Sequence, residues 1–500
     1  MADIILVKLE NEEASRDLAP PFGILFLADY LEKAGFTVQL VHEEGTKDKV
    51  QSVVDLVLSE SPLFVGFSTL TGPPLLPTIQ ASREIKRKSD VIIVWGGIHP
   101  TVLSEQTLLN DYIDLVVIGE GEATAVELAN VLRQNGLQAN ELEEVAGIAF
   151  KRNGQPVVTE PRPFIRDLDE IYPAWHHLDV GRYFLSPDYF LSGLGGERAV
   201  VLFTSRGCPW RCAFCYNQIV NRRAFRAQSA ERVLSEVRDL RERFDITAIV
   251  FEDDNFFTNT RRALQIIRGL DVPWNSTIRV DEVAKGGEDF VKELSQNHCA
   301  ELRIGVETGS PRILDLIKKD ITLDQVRKTA QWCVKYGIVT NFMFMLGFPG
   351  ETWPDVYQTL ELMDELEAMG ETVHVRGPFP YVPFPGTPLF DLAIEHGFKP
   401  PTSLTEWSTY FFMGRRPSLP AYAEKRIAGI HHYRKLATRK DLDQLTFPLP
   451  AQLLARAAKF RYEHKFFRFP IDYVIPSFGV EMLNKIGLSA IVRGMRPESH

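Results

Sequence analysis

Cysteine is scarce in this chain, five in 500 residues. So few exclude a disulfide scaffold and suit a reducing cytoplasm, which is the expected location. No run of about 18 or more apolar residues occurs, which excludes a membrane-spanning helix. An excess of basic charge is missing too. Against 66 Asp and Glu stand 56 Lys and Arg, for a net charge of −10, and no global basic footprint for nucleic acid remains. The start, Met-Ala-Asp-Ile-Ile-Leu, lacks a basic segment, an apolar run and a small-residue cleavage site, and reads as a first strand rather than a signal peptide. Low-complexity tracts and internal repeats are absent. What is present is an ordinary globular composition, 45% apolar and 24% charged. The length allows about three domains whose cores need no staples.

Three of the five cysteines stand together, Cys208, Cys212 and Cys215, in Thr204-Ser-Arg-Gly-Cys-Pro-Trp-Arg-Cys-Ala-Phe-Cys-Tyr216. The C-x3-C-x2-C spacing gathers three thiolates on one short loop, one fewer than a closed iron–sulfur site requires. A cubane held this way leaves one iron open, and an open metal position is where chemistry occurs. A zinc knuckle would want a fourth Cys or His nearby. Cys299 and Cys333 lie isolated in helix-like or strand-like runs. The loop, with Phe214 before its last cysteine, resembles the signature of the radical S-adenosylmethionine (SAM) superfamily. That resemblance implies a [4Fe-4S] cluster whose open iron chelates the amino and carboxylate groups of SAM. It also implies an external one-electron reductant and cleavage of SAM to methionine and a 5′-deoxyadenosyl radical.

Ahead of this loop, residues 1–135 alternate strand-like runs (Ile4–Lys8, Thr37–His42, Leu63–Ser68, Val91–Trp95, Leu115–Ile118) with helix-like ones (Phe22–Lys33, Lys49–Ser59, Thr78–Lys88, Ala123–Arg133). The alternation predicts βαβ units and a doubly wound, flavodoxin- or Rossmann-like parallel sheet. Ligands bind such sheets outside the carboxyl ends of the strands. Three strand ends there are rich in small or turn-forming residues, Ser68-Thr-Leu-Thr-Gly72, Gly96-Gly-Ile-His-Pro100 and Gly119-Glu-Gly-Glu122. Ser68, Thr69, Thr71, Gly96, Gly97, Gly119, Glu120 and Gly121 are the candidate contacts, the alternative being glycines that serve turns only. The run Pro20–Phe36 and the two glycine turns resemble the cobalamin-binding domain of one radical SAM branch. In the methionine synthase type of domain an Asp-x-His-x-x-Gly motif places histidine on cobalt. Here Leu9-Glu-Asn-Glu-Glu-Ala14 carries no histidine, His42 follows the second strand, and His99 reads as a turn residue. Cobalamin is expected to bind with no protein histidine on cobalt.

Residues 136–195 read as a linker packed across two domains, and from Ala199 the βα alternation resumes. Strand-like runs at Val200–Thr204, Ala248–Phe251, Asn275–Val280, Glu301–Gly305, Thr340–Phe344 and Thr372–Arg376 predict a partial (β/α)6 barrel over 196–400, its site at the carboxyl-end mouth. By resemblance, Glu252 and Asp253 match the position that meets the SAM amino group. Ser276 and Arg279 match polar positions on the third strand, Glu307 and Ser310 the ribose-facing pair, and Gly347–Gly350 the adenine edge. Each of these acidic or hydroxyl residues has an alternative as a helix cap. Asn217, His374 and Tyr381 are candidates for substrate contact or for packing.

Beyond residue 400 a helical C-terminal region is expected, with helices over 419–437 and 450–467. The second would set Leu453, Ala457, Phe460, His464 and Phe467 on one face and Arg456, Lys459, Lys465 and Arg468 around the rest. Such a helix packs on the barrel or meets a membrane surface or lipid-like substrate. The resemblance implies a cobalamin-dependent radical SAM C-methyltransferase acting on an unactivated carbon; the substrate, a small molecule or, from the basic and aromatic helix, a lipid-like one, is written in no motif. Pro380–Trp407 also resembles the anaerobic magnesium-protoporphyrin cyclase, so an oxidative cyclase or ring-rearranging enzyme is the alternative, ahead of a non-catalytic cobalamin sensor. No cysteine precedes Cys208, which leaves a methylthiotransferase's second cluster without ligands.

Overall fold

A computed structural model describes residues 2–11, 18–138, 140–186, 198–410, Ile430, Arg434 and 449–465, with side chains in the last stretch from Arg456. The β-branched run Ile4–Glu10 (β1) alternates its faces: Ile4 and Leu6 enter one core cluster, Ile5, Val7 and Leu9 another. That period of two, apolar on both faces, makes a central strand covered on both sides. Around it lie Val38–Glu44 (β2), Phe64–Ser68 (β3), Ile92–Gly96 (β4) and Leu115–Val117 (β5), all parallel, in the order β2-β1-β3-β4-β5. Helices Phe22–Lys33 (α1), Lys47–Glu60 (α2), Leu75–Lys88 (α3), Ile98–Val102 (α4), Ser104–Leu108 (α5) and Glu122–Asn135 (α6) complete the winding. Thr46 starts α2 by accepting a hydrogen bond from Lys49 N. The strand order reverses between β1 and β3, so the ligand crevice of such a sheet lies outside their carboxyl ends.

The first sheet continues past residue 135. Ile148–Arg152 (β6) and Gln155–Val158 (β7) add an antiparallel hairpin to β5, turned by Asn153-Gly154 with both residues at positive φ. These residues were expected in the linker. From there the chain crosses to the barrel, carrying Leu168, Ile171 and Trp175 into the same core cluster as Phe22 and Phe26.

The second sheet is six parallel strands in sequence order: Ala199–Leu202 (β8), Ala248–Phe251 (β11), Trp274–Ile278 (β12), Cys299–Glu307 (β13), Val339–Leu346 (β14) and Val373–Pro380 (β15). A two-residue ladder, Ser205–Arg206 (β9) against Arg226–Ala227 (β10), sits at its first strand's carboxyl end. The crossovers are Ala230–Phe244 (α7), Thr260–Arg268 (α8), Val280–Gln296 (α9), Pro311–Leu316 with Leu323–Lys335 (α10, α11) and Trp353–Glu367 (α12). Side-chain caps set their starts: Ser229 accepts from Arg232 N, and Thr322 and Gln325 form a capping box. Both cores are dominated by fully buried Val, Ile, Leu and Phe. The architecture is α/β throughout, a doubly wound sheet followed by a partial (β/α)6 barrel.

Pro388–Glu395 (α13) and Leu404–Trp407 (α14) return to the first domain, where Trp407 Nε1 donates to Gln106 at 2.6 Å. Helix Leu449–Glu463 (α15) differs from expectation in the side it buries. Ala458 and Tyr462 are buried, with Tyr462 bonded to Asp364, whereas Phe460 is 58% exposed and stacks on His464. A polar anchor at Tyr462 selects that face over the more apolar stripe. The 419–437 helix falls outside the described residues except for Ile430 and Arg434, both helical.

Candidate functional site at the facing strand ends

The cysteine loop is built on backbone constraints. At Gly207 φ is +81°, and a Cβ would sit 2.0 Å from the Ala224 carbonyl oxygen, so no other residue fits. Asp254 accepts from Gly207 N at 3.0 Å and from the Tyr216 hydroxyl at 2.8 Å. Ala213 is held by its N–H on Ile317 O and its carbonyl on Leu389 N. Cys212 is buried, Cys208 and Cys215 partly so. Burial pushes the thiol of Cys208 up to about 11 and that of Cys215 to about 12. A metal centre that displaces the protons is what would hold them as thiolates at neutral pH.

Arg279, at the end of β12, reaches this loop. It donates to Cys212 Sγ at 3.4 Å, to Lys319 O at 2.6 Å and to Asp281 at 2.8 Å, and lies over the Trp210 ring. Lys319, fully enclosed, pairs with Glu307 at 2.7 Å and sits 6.0 Å from the Phe214 ring centre. Arg279 thus touches Cys212, and Lys319 lies behind the next ring with its charge paired to Glu307. Glu307 holds φ +74° beside a strand irregularity, and its carboxylate is fixed by that lysine.

Other expected positions are tied differently. Asp253 is buried, and its carboxylate accepts from Thr204 N, the Thr204 hydroxyl and Ser205 Oγ. Burial nevertheless pushes it up to about 6. Glu252 pairs with Arg303. Ser276 lies sealed in the barrel wall with neighbouring Asn275, and neither side chain finds a partner among the described residues. Ser310 caps α10 and donates to Asp355 at 2.6 Å, the capping alternative. Gly347 donates its N–H to Glu351 Oε2 at 2.6 Å, while Glu351 Oε1 is buried without a partner among the described residues. Burial, with Asp355 nearby, pushes Glu351 up to about 7. Gly350 lies in the same turn and accepts from Arg312. Tyr381 stacks on Phe348, its buried hydroxyl unpartnered among the described residues. Asn217 is buried in the turn after Cys215, bonded to Asn221, while His374 lies partway along β15.

In the first domain, Gly97 has φ +98°, and a Cβ would meet Thr69 O at 2.6 Å. That contact, with Thr69 N–H on Gly96 O, joins the β3 and β4 ends into one shelf. Thr69 is buried in this join, whereas Ser68, Thr71, Gly96, Gly119 and Gly121 are partly exposed. Glu120 is engaged by Arg206, Arg226 and Ile165 N, so it bridges to the barrel. Both nitrogens of His42 are bonded, to Tyr183 at 2.8 Å and Glu10 at 3.0 Å. His99 is sealed beneath Trp407, where burial lowers its basicity to about 3.

The two carboxyl-end mouths face each other. Phe203, just beyond β8, packs edge-on to Phe22 at the start of α1, ring centres 5.2 Å apart. Arg206 joins Glu120 and Glu122 across the same gap. Exposed apolar side chains remain there, Phe203 at 40% and Leu70 at 41%, a surface for a flat apolar ring to cover. The donor set and this lining fit a cluster on one side and a corrin-sized group on the other. Sequence reading singled out neither Asp254, Arg303, Lys319, Glu351 nor Arg206. Asp254 directly follows Asp253 and Glu351 directly follows Gly350, positions the sequence did point to, but which acid faces the loop depends on the fold.

Comparison with known proteins agrees with this division. Residues 202–363 match the radical SAM superfamily and residues 14–129 a B12 binding domain. An uncharacterized methyltransferase of Pyrococcus horikoshii is 30% identical over 404 residues, 79% of this chain and 83% of that protein. The anaerobic magnesium-protoporphyrin IX monomethyl ester cyclase of Rubrivivax gelatinosus is 27% identical over 69% of this chain and 61% of its own length. In fold, the chain is similar to the cobalamin-dependent SAM radical enzyme OxsB solved with aqua-cobalamin and SAM. The TM-score is 0.66 at 16% identity, over 97% of this chain and 75% of that one.

Proposed function

This chain belongs to the radical SAM superfamily, in the branch that carries a B12-binding domain ahead of the barrel, and we propose that it is a C-methyltransferase acting on an unactivated carbon of a small molecule. The observation that carries the reading is the facing of the two mouths, cysteine loop against B12-domain shelf, joined by Phe203 on Phe22 and Arg206 on Glu120 and Glu122. A substrate between them meets a radical source and a methyl carrier in one enclosure. When bound, the cluster supplies the electron that cleaves SAM, and cobalamin supplies the methyl group.

The chain's own residues set the conditions. Cys208, Cys212 and Cys215 hold the cluster. Arg279 and Lys319 place positive charge beside it, which favours the reduced state. Glu252, Glu307 and Glu351 are the acidic groups proposed to line the SAM side, and Ser68, Thr71, Gly119 and Gly121 the polar rim on the B12 side. Phe203, Leu70 and Phe22 give the gap an apolar lining that a bound ring would seal, and a sealed gap protects a radical from quenching. An external one-electron reductant and a reducing, cytoplasmic compartment belong to the same reading. Helix α15 exposes Arg456, Lys459 and Phe460, and a peripheral contact with an anionic lipid surface is proposed for it.

Likeness to the cyclase keeps an oxidative cyclisation as the second reading. Anaerobic turnover with methyl-deuterated SAM separates the two. Methyl transfer consumes two SAM per product, gives 5′-deoxyadenosine and S-adenosylhomocysteine in near-equal amounts, and adds a trideuterated methyl. An unlabelled product formed with 5′-deoxyadenosine alone sinks the methylase reading.

A further inference from the structure

Away from the cleft, three side chains meet that no part of the reaction uses. Glu32 stands in the last turn of α1, and His176 and His177 form the short turn after Trp175 on the crossing segment. His177 Nε2 lies 2.8 Å from Glu32 Oε1, and His176 Nε2 lies 3.3 Å from Oε1 and 3.2 Å from Oε2. All three donor atoms fall within 4.8 Å of one another. The imidazole rings are 4.4 Å apart, tilted by 37°.

A single ion pair would need one histidine. Here two adjacent ones turn the same ring nitrogen toward one carboxylate, against the cost of crowding two rings. The nitrogen–oxygen separations, from 2.8 to 3.3 Å, come near the spacing of about 3.3 Å between neighbouring corners of a tetrahedron with bonds of about 2.0–2.1 Å. The set is also pre-arranged. Trp175, buried against Phe22, donates to Glu236 at 3.0 Å, and Ala174 N–H is on Leu25 O. The histidines thus sit on a turn already fixed to α1 on one side and α7 on the other. His177 is 15% exposed and His176 61%, so the fourth corner opens to solvent and an ion has an entry path.

We propose that Glu32, His176 and His177 bind a divalent transition ion of borderline softness, zinc above all, that staples the crossing segment to α1. Two imidazoles and one carboxylate suit zinc and leave a position for water. The ion would fix α1, whose first residue Phe22 lines the cleft, relative to the barrel.

The test uses the full chain with its cluster reconstituted, dialysed anaerobically against micromolar zinc chloride and counted for zinc and iron by mass spectrometry. The wild type is expected to hold one zinc more than the H176A/H177A double variant, at unchanged iron. Zinc should raise its melting temperature, since a ligand of the native state stabilises by mass action, and leave the variant's where it was. E32Q, which keeps the side-chain shape, should bind at least tenfold more weakly. H176A alone removes an exposed side chain and so reports even where the double variant folds poorly. Equal zinc in wild type, E32Q and H176A, or none in any, overturns the proposal and leaves an ordinary ion pair.

Discussion

At the scale of single residues, the charge beside the cluster loop gives the sharpest expectations. Arg279 hydrogen-bonds Cys212 and adds a fixed positive charge. Replacing it by Met should lower the cluster's reduction potential by tens of millivolts, read by redox titration followed by electron paramagnetic resonance, and Lys should restore part of the shift. An unchanged potential in R279M would remove the tuning role. Glu351 offers a pH test. Burial raises it to about 7 from an ordinary 4.5. Between those values the native chain keeps a proton that the unfolded chain has lost, so stability falls as pH rises through that window. The fall is of the order of 1–3 kcal/mol. E351Q, whose amide oxygen still accepts from Gly347, should flatten that slope in denaturant titrations at pH 5 and pH 7. An identical slope in E351Q assigns the proton elsewhere. Of these groups, Arg279 was marked through the resemblance, as a polar position on the third strand; the burial that moves Glu351 has no sequence signature.

At the scale of elements, turns rather than strands hold the site. Gly207→Ala forces a Cβ into the Ala224 carbonyl at a backbone angle that disfavours it. A cost above about 2 kcal/mol follows, and iron bound per chain on reconstitution should fall sharply while cobalamin binding persists. Wild-type iron content in G207A would show that the loop relaxes without penalty. On the other sheet, both histidines near the ligand edge are occupied or sealed. The cob(II)alamin form should therefore show no histidine-nitrogen coupling to cobalt when the protein carries nitrogen-15 histidine; such a coupling would reassign His99 or His42. Strand and helix positions were legible because apolar periodicity and caps are local. The face of α15 was not, because Tyr462 finds Asp364, 98 residues earlier in the chain, and that partner exists only after folding.

At the scale of the whole molecule, the two domains are joined by charge as well as by rings. Arg206 serves Glu120 and Glu122 together, and Arg226 shares Glu120. Removing one member of a largely enclosed network leaves the others uncompensated, at about 3 kcal/mol. Arg206→Leu should thus loosen the mouth, weaken cobalamin retention on gel filtration and expose the segment near residue 165 to protease. The cluster itself should remain. Cobalamin retained as in wild type would place domain closure in the aromatic contacts instead.

By itself, the sequence determined the chemistry: three thiols at C-x3-C-x2-C, six strand-like runs behind them, and glycine turns at the ends of an earlier set. Those features are local, since ligand spacing and side-chain period are properties of consecutive residues. Tertiary structure decided which acid serves which partner. Asp253 turned to Thr204, Asp254 to the cysteine loop, Glu252 to Arg303 and Glu120 to the barrel. Four carboxylates of similar intrinsic acidity are indistinguishable in a string of letters. Their roles divide only when strand register and the docking of two sheets set which charge lies within about 3 Å of which donor.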